Sequence, residues 1–219
     1  MVKPYYEEGG ITIYHGDCRE VLPTLGRFDL LLTDPPYGIN LNTDNSRFSG
    51  GTRGNVAKRG NGGGTGSGMK IVNDLNPFDP GFVLGSALNQ IVWGFNHYPE
   101  KLGAGSCLVW IKRNEASYGT FLSDAEIAYK SSGHGVFCKK DLSNNSIANE
   151  RVHPTQKPVS LMMWCMSFFP KTESVIDPFM GSGTTLRAAK DMGIKATGIE
   201  MVERYCEVAA ERLRQGVLF

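Results

Sequence analysis

Two kinds of segment alternate along the chain. Continuous apolar runs occur at Phe28–Thr33 (FDLLLT), Gln90–Phe95 (QIVWGF), Ser106–Ile111 (SCLVWI) and Ser174–Ile176. Strands covered on both faces of a sheet show this pattern. Ile11–Tyr14, Ala125–Lys130 and Lys195–Ile199 are further strand candidates. Helices are expected over Phe82–Leu88, over Val159–Phe169 after Pro158, and over Thr184–Asp191 up to Gly193. The last helix, Val202–Leu213, is amphipathic, with Val202, Tyr205, Ala209, Ala210 and Leu213 on one face. Alternation of this kind predicts an α/β domain with a mostly parallel sheet. Such sheets bind ligands at the carboxyl ends of their strands, so the loops that follow strands are where chemistry is expected.

One segment departs from the alternation. Asn40 to Gly68 is crowded with Gly, Asn, Ser and Thr, and it carries Arg47, Arg53, Lys58 and Arg59 against a single acid, Asp44. Its glycine content predicts a long mobile loop, either a tolerated linker or a segment that orders on a polyanion. The 219 residues are otherwise expected to form one domain, 1–219. The net charge of +1 excludes reading a nucleic-acid partner from total charge, so any basic surface must be local. The five cysteines (Cys18, Cys107, Cys138, Cys165, Cys206) form no C-x-x-C pair, and their spacing supports neither a zinc site nor a disulfide framework. No apolar run approaches a membrane span, and MVKPYYEEGG lacks the apolar core of a signal peptide. The expectation is a soluble cytoplasmic protein without a metal.

The first candidate site is Asp34-Pro35-Pro36-Tyr37, directly after the apolar run FDLLLT. Two prolines fix φ and remove two amide donors, which leaves a stiff turn with free carbonyls. A carboxylate, a rigid carbonyl and an aromatic ring therefore stand together at a strand's carboxyl end. Asp34–Tyr37 resembles the catalytic motif of the amino-methyltransferases, which act on adenine N6 or cytosine N4. The residue types suit that chemistry. An aromatic amine is a poor nucleophile because its lone pair is delocalised into the ring. The Asp34 carboxylate and the Pro35 carbonyl, accepting from its hydrogens, would concentrate the lone pair for attack on a sulfonium methyl. The base must leave the duplex stack to be reached, and Tyr37 would stack on it.

The second site is SVIDPFMGSGTT. An apolar strand ends in Asp177-Pro178-Phe179, and Gly181-Ser182-Gly183 leads into a helix at Thr184. The glycines permit a tight turn and close backbone approach to a ligand. Glu200 follows the next strand, about where a nucleotide fold places its ribose-binding carboxylate. A phosphate ligand is disfavoured, because no G-K-[ST] follows and Asp177 would repel an anion. S-adenosylmethionine has no phosphate and carries a sulfonium and an ammonium. Asp177 suits the ammonium, and the Phe179 ring suits the cationic sulfur.

DPFMGSGTT resembles the cofactor motif of the same family. The resemblance implies that Asp177, Phe179, Gly181 and Gly183 line the methionine part, with Ser182 and Thr184 nearby and Glu200 on the ribose. His153-Pro154-Thr155-Gln156-Lys157-Pro158 is similar to the family segment before the cofactor strand, where Thr155 and Lys157 would meet the cofactor's carboxylate. Gly16-Asp17-Cys18 is similar to the adenine-contacting turn. Asp17 either accepts from the adenine amine or caps the helix beginning near Arg19. Cys18 is a small core residue that contributes at most its backbone amide.

The catalytic loop precedes the cofactor loop, an order that resembles the permuted β group. That likeness implies a Rossmann-like S-adenosylmethionine-dependent methyltransferase fold, with a seven-stranded, mostly parallel sheet and one antiparallel strand. It implies S-adenosylmethionine as cofactor and DNA as substrate. Adenine N6 is favoured over cytosine N4 by the Asp in the first motif position. Cytosine-C5 chemistry is disfavoured, because no proline precedes a cysteine. RNA or protein-amide methylation, and a catalytically silent DNA-binding protein of the same fold, are the more distant alternatives. The family's sizeable recognition region is reduced to about 131–152 and the glycine-rich loop. Arg47, Arg53, Lys58 and Arg59 are therefore the expected phosphate contacts.

Overall fold

The computed structural model of the chain describes residues 2–38, 78–119, 123–142 and 156–215. The chain divides into two compact units, Met1–Pro35 with Asp79–Phe219, and Pro36–Phe78. In the second unit only residues 36–38 and 78 are described, so the expectation for Asn40–Gly68 lies outside the described residues. The first unit holds the described strands and helices.

Its frame is an eight-stranded sheet: β1 (Tyr6–Glu8), β2 (Ile11–His15), β3 (Phe28–Thr33), β4 (Ala87–Trp93), β5 (Gly105–Ile111), β6 (Ala125–Lys140), β7 (Ser174–Asp177) and β8 (Lys195–Glu200). The strand order is β1-β2-β8-β7-β3-β4-β6-β5. From β2 to β4 all pairings are parallel, and β6 runs antiparallel to β4. The mixed, mostly parallel sheet agrees with the expected fold class. It has one strand more than seven because Gly9 and Gly10, both at positive φ (58° and 82°), make a two-residue turn that folds Tyr6–Glu8 back onto β2.

The middle of the sheet is held at both ends of one strand pair. The Asp29 carboxylate near the start of β3 accepts from the amides of Glu173 and Ser174 and from Ser174 Oγ, at 2.8–3.0 Å. These bonds hold its pKa below the usual carboxylate value, against a small opposing effect of burial. At the far end Thr33 Oγ1 donates to Asp177 Oδ1 at 2.7 Å. Between these clamps Leu30 and Leu31 pair with Val175 and Ile176, all fully buried.

The described residues add five helices: α1 (Cys18–Val21), α2 (Gly81–Leu84), α3 (Val159–Ser167), α4 (Thr184–Asp191) and α5 (Glu203–Arg214). The expected helix over Phe82–Leu88 is a single turn. It stops at Gly85, and Ala87 already pairs with Phe28, so Ala87 and Leu88 belong to β4. The strand expected over Gln90–Phe95 correspondingly starts earlier and ends at Trp93, because Gly94 at φ 74° turns the chain into a 3-10 turn over Phe95–His97. On α5 the buried stripe is Cys206, Ala209, Ala210 and Leu213, the i, i+3, i+4, i+7 set. Ala209, Ala210 and Leu213 are buried as expected, whereas Val202 is the N-cap and Tyr205 is half-buried, and Cys206 takes the first place in the stripe.

The expected strand Ala125–Lys130 is only the first arm of β6. Cys107 on β5 faces both Tyr129 and Val136, and Ile111 faces both Ala125 and Lys140. The chain therefore bends around the start of β5 and returns along its other side. Ser132, at φ 71°, stands at the bend, where its carbonyl and hydroxyl accept from the Lys130 ammonium at 3.1 and 3.2 Å. Residues 131–140, expected in the recognition region, are thus strand, and 143–152 lie outside the described residues.

Gly183 caps α4 in the left-handed region (φ 78°), and a Cβ there would stand 2.8 Å from Ala209 Cβ of α5. Gly183→Ala should therefore combine left-handed strain with overpacking, about 2–4 kcal/mol of lost stability in denaturant unfolding. A loss below about 1 kcal/mol would show that α5 yields to the extra methyl.

Candidate active site

The sheet order sets four acidic residues along one edge. Asp17 follows β2, Glu200 ends β8, Asp177 ends β7 and Asp34 follows β3, and these four strands are consecutive neighbours. Positions 17, 200, 177 and 34 thus become a row at the carboxyl ends of parallel strands, where α/β sheets bind ligands. His15 pairs with Glu200, the Gly16 amide donates to the Glu200 carbonyl at 2.9 Å, and Asp177 pairs with Gly198.

Asp177 is 3% exposed. Besides Thr33, the Phe179 amide donates to its Oδ1 at 3.1 Å, and the Thr185 hydroxyl donates to it as well. Burial nevertheless outweighs these bonds and raises its pKa to about 6, with a smaller contribution from Asp34. Glu200 spends its two oxygens on different amides. Oε2 accepts from Gly181 at 3.1 Å and Oε1 from Val202 at 2.8 Å, so one carboxylate shapes the glycine turn and opens α5. Burial raises its pKa too.

The glycine turn is braced from two sides. Ser182, itself buried, donates from Oγ to Gln156 Oε1 at 3.2 Å, and the Arg212 guanidinium of α5 donates to the Ser182 carbonyl at 2.7 Å. Gly181 and Gly183 are both at positive φ, and Thr184 is buried at the first position of α4. The Phe179 ring stands edge-on to Phe82 at 6.4 Å, and the Arg19 guanidinium lies over Phe82 at 5.2 Å. Phe82 thus connects the turn after β2 to the turn after β7.

Of the two roles open to Asp17, helix capping is realised: the Arg19 amide donates to Oδ1 at 2.8 Å. An ionised carboxylate has lone pairs left for a second donor. Cys18 packs in the core, and burial, helped by Asp17, pushes its thiol up to about 12. It stays a protonated core residue near neutral pH.

Asp34 and Pro35 follow Thr33 on β3, and Pro35 is buried. Pro36 and Tyr37 belong to the second unit. The Asp34 Oδ2 forms an ion pair with the Lys157 ammonium. Lys157 also meets Glu126 Oε2 at 3.2 Å and lies over the Trp93 ring at 5.2 Å, and its side chain is 4% exposed. The structure therefore places Lys157 against Asp34, the carboxylate of the expected catalytic motif. Glu126 takes a second cation, Lys112, at 2.7 Å. Burial alone would push Glu126 up, but Lys157 and Lys112 outweigh it and hold its pKa at about 2.

Thr155, Arg47, Arg53, Lys58 and Arg59 lie outside the described residues, as does His153. Sequence reasoning passed over Thr33, Phe82, Glu126 and Arg212. Only Glu126 left a signal, an acid inside a strand candidate that otherwise reads as half-buried.

The family model described as DNA methylase, of the N6/N4 type, matches residues 91–211. The chain is 28% identical over 256 residues to the Type II methyltransferase M.HinfI of Haemophilus influenzae, covering 93% of this chain and 68% of that protein. It is 24% identical to the Type II methyltransferase M2.LlaDCHI of Lactococcus lactis subsp. cremoris, covering 100% of this chain and 95% of that protein. Among solved structures the fold is similar to the M1.HpyAVI–SAM complex, with a TM-score of 0.59 and 21% identity over 94% of this chain and 100% of that one. It is also similar to the cytosine-N4-specific PvuII DNA methyltransferase, with a TM-score of 0.63 and 14% identity over 99% of this chain and 91% of that one.

Asp177 has an ordinary pKa of 3.8 when unfolded and about 6 when folded. The native state therefore binds the proton more tightly, and this contribution to stability is lost as pH rises through about 6. Asp177→Asn should stabilise the ligand-free protein at pH 7.5 by about 1–3 kcal/mol, and the gain should vanish as pH falls toward about 4. Thermal unfolding across that range checks it. A destabilised variant at pH 7.5 would show that the hydrogen bonds outweigh burial.

Proposed function

This chain belongs to the N6/N4 DNA methylase family, and we propose that it transfers the methyl group of S-adenosylmethionine to N6 of adenine in DNA. The observation that carries this reading is the neighbourhood of Asp34 and Asp177, at the carboxyl ends of adjacent parallel strands and joined through Thr33. Target and donor sites would then share one clamp. Adenine is favoured over cytosine by the Asp that opens the D-P-P-Y motif, a resemblance rather than a contact.

The residues present suit the cofactor. Asp177 is a buried carboxylate whose charged form is short of a cation, and an ammonium would supply one. Glu200 has an oxygen on each of two amides and retains lone pairs for ribose hydroxyls. Phe179 offers a ring to a sulfonium. Asp17 would receive an adenine amine beside the core residue Cys18. Gly181, Ser182, Gly183 and Thr184 would form the turn around the methionine part, with Thr155 assigned there from sequence alone. When bound, S-adenosylmethionine supplies an electrophilic methyl group on sulfur.

The protein's own part is positional. Asp34 accepts one hydrogen of the target amine and the Pro35 carbonyl accepts the other, which raises electron density on nitrogen. The buried, ring-locked Pro35 holds that carbonyl without rotamer freedom. Pro36 stiffens the turn, and Tyr37 stacks on the extruded base. Arg47, Arg53, Lys58 and Arg59 would hold phosphates while one base is out.

Asp34→Ala should lower methyl transfer by at least about a hundredfold while leaving S-adenosylmethionine affinity within about threefold. Nucleoside analysis of DNA treated with the parent enzyme should return N6-methyladenine. N4-methylcytosine alone would reverse the base assignment, and methylated RNA with unmodified DNA would overturn the substrate class. Replacing all four basic residues of 47–59 by Gln should flatten the slope of log affinity against log salt by up to about four units. An unchanged slope would place the phosphate contacts elsewhere.

A further inference from the structure

Lys157 sits in a chain of charges that alternate in sign. Asp34, Lys157, Glu126 and Lys112 follow one another through direct ion pairs and sum to zero. They come from four places in the fold: the turn after β3, the approach to α3, the first arm of β6 and the residue after β5. The outer members are partly exposed, whereas the Lys157 side chain is 4% exposed and packed over the Trp93 ring.

An ammionium so enclosed needs anions in contact, and Lys157 has two. Drawing it away toward a cofactor's carboxylate would leave Asp34 and Glu126 without their shared cation. The pairing suits the target side better. A carboxylate that accepts from a weak amine donor must hold one orientation. A lysine fixed on Oδ2 holds it. At the other end of the tether Glu126 Oε2 meets the same ammonium at 3.2 Å.

We infer that Lys157 is a positioning residue for methyl transfer, holding the Asp34 carboxylate aimed at the target amine, and that Glu126 fixes Lys157 in turn. This rests on the reading of Asp34 as the residue that meets the amine, and it moves the lysine of the His153–Pro158 segment from the cofactor to the catalytic loop.

The test is steady-state methylation of DNA at saturating S-adenosylmethionine, with cofactor affinity from calorimetry on the same preparations. The parent must first yield methylated adenine, and a parent without product fails the functional reading rather than this inference. Lys157→Met should lower kcat by about fiftyfold or more and change cofactor Kd by less than about threefold. Glu126→Gln should lower kcat by about five- to tenfold with Kd unchanged. Lys157→Met takes the shared cation from two carboxylates, Asp34 and Glu126, and threatens folding, so the double variant Lys157→Met/Glu126→Gln is the decisive one. It removes one of those charges and should recover thermal stability, yet kcat should stay as low as in Lys157→Met. Recovery of kcat together with stability would reduce Lys157 to a structural role. A Kd raised about tenfold or more, with kcat restored by excess cofactor, would return the lysine to the cofactor's carboxylate.

Discussion

The parallel pairing of β3 with β7 is the constraint on which the site depends. These two short strands are separated by about 145 residues in the chain, yet they carry the two motifs at their carboxyl ends. The apolar run between is interchangeable in register as far as hydrophobicity goes, because both faces are buried. Polar bonds at its two ends remove that freedom. Asp29 takes three donors from Glu173 and Ser174, and Thr33 donates to Asp177. A slip of one residue would break both clamps and carry Asp34 out of line with Asp177. The register of a fully apolar pair is therefore specified by its few polar members.

Electrostatics divides the carboxyl edge into two halves. On the side of β7 and β8, Asp177 and Glu200 are raised by burial and are offset by hydrogen bonds from amides and hydroxyls. On the side of β3 and β6, Asp34 and Glu126 share Lys157, and Glu126, with Lys112 as well, is held low. The first half is short of positive charge and suits a cationic ligand. The second half is already neutralised and suits a neutral aromatic amine, which needs a fixed acceptor and brings no charge. The same residue type thus stands in two different electrostatic settings according to what surrounds it.

Much of this was legible in the chain. The apolar runs before Asp34 and Asp177 located both strands, because a strand buried on two faces leaves an unmistakable run of large apolar residues. The Gly181–Gly183 turn and the α4 start were legible because turn chemistry is local. Element ends were less so. Ala87 and Leu88 continue a helical pattern from Phe82, but pairing with β3 claims them for β4. The hairpin at Gly9–Gly10 has a local signal in its paired glycines, but three residues of mixed polarity, Tyr6–Glu8, do not announce a strand without the neighbour that pairs with them.

The sequence by itself determined the chemistry that each loop offers: a carboxylate and rigid carbonyl at 34–36, a glycine turn with flanking acids at 177–183, and an acid ending a strand at 200. Those properties belong to side chains and backbone within a few residues of one another. Only the tertiary structure decided which of them meet. Thr33 and Asp177, Arg212 and Ser182, Lys157 with both Asp34 and Glu126 are contacts between elements distant in the chain. Strand order and the fold-back of β6 create them, and an apolar run carries no record of its neighbour. The placement of Lys157 turns on that point, since the resemblance of its segment implies a ligand for the cofactor and the sheet sets it against Asp34.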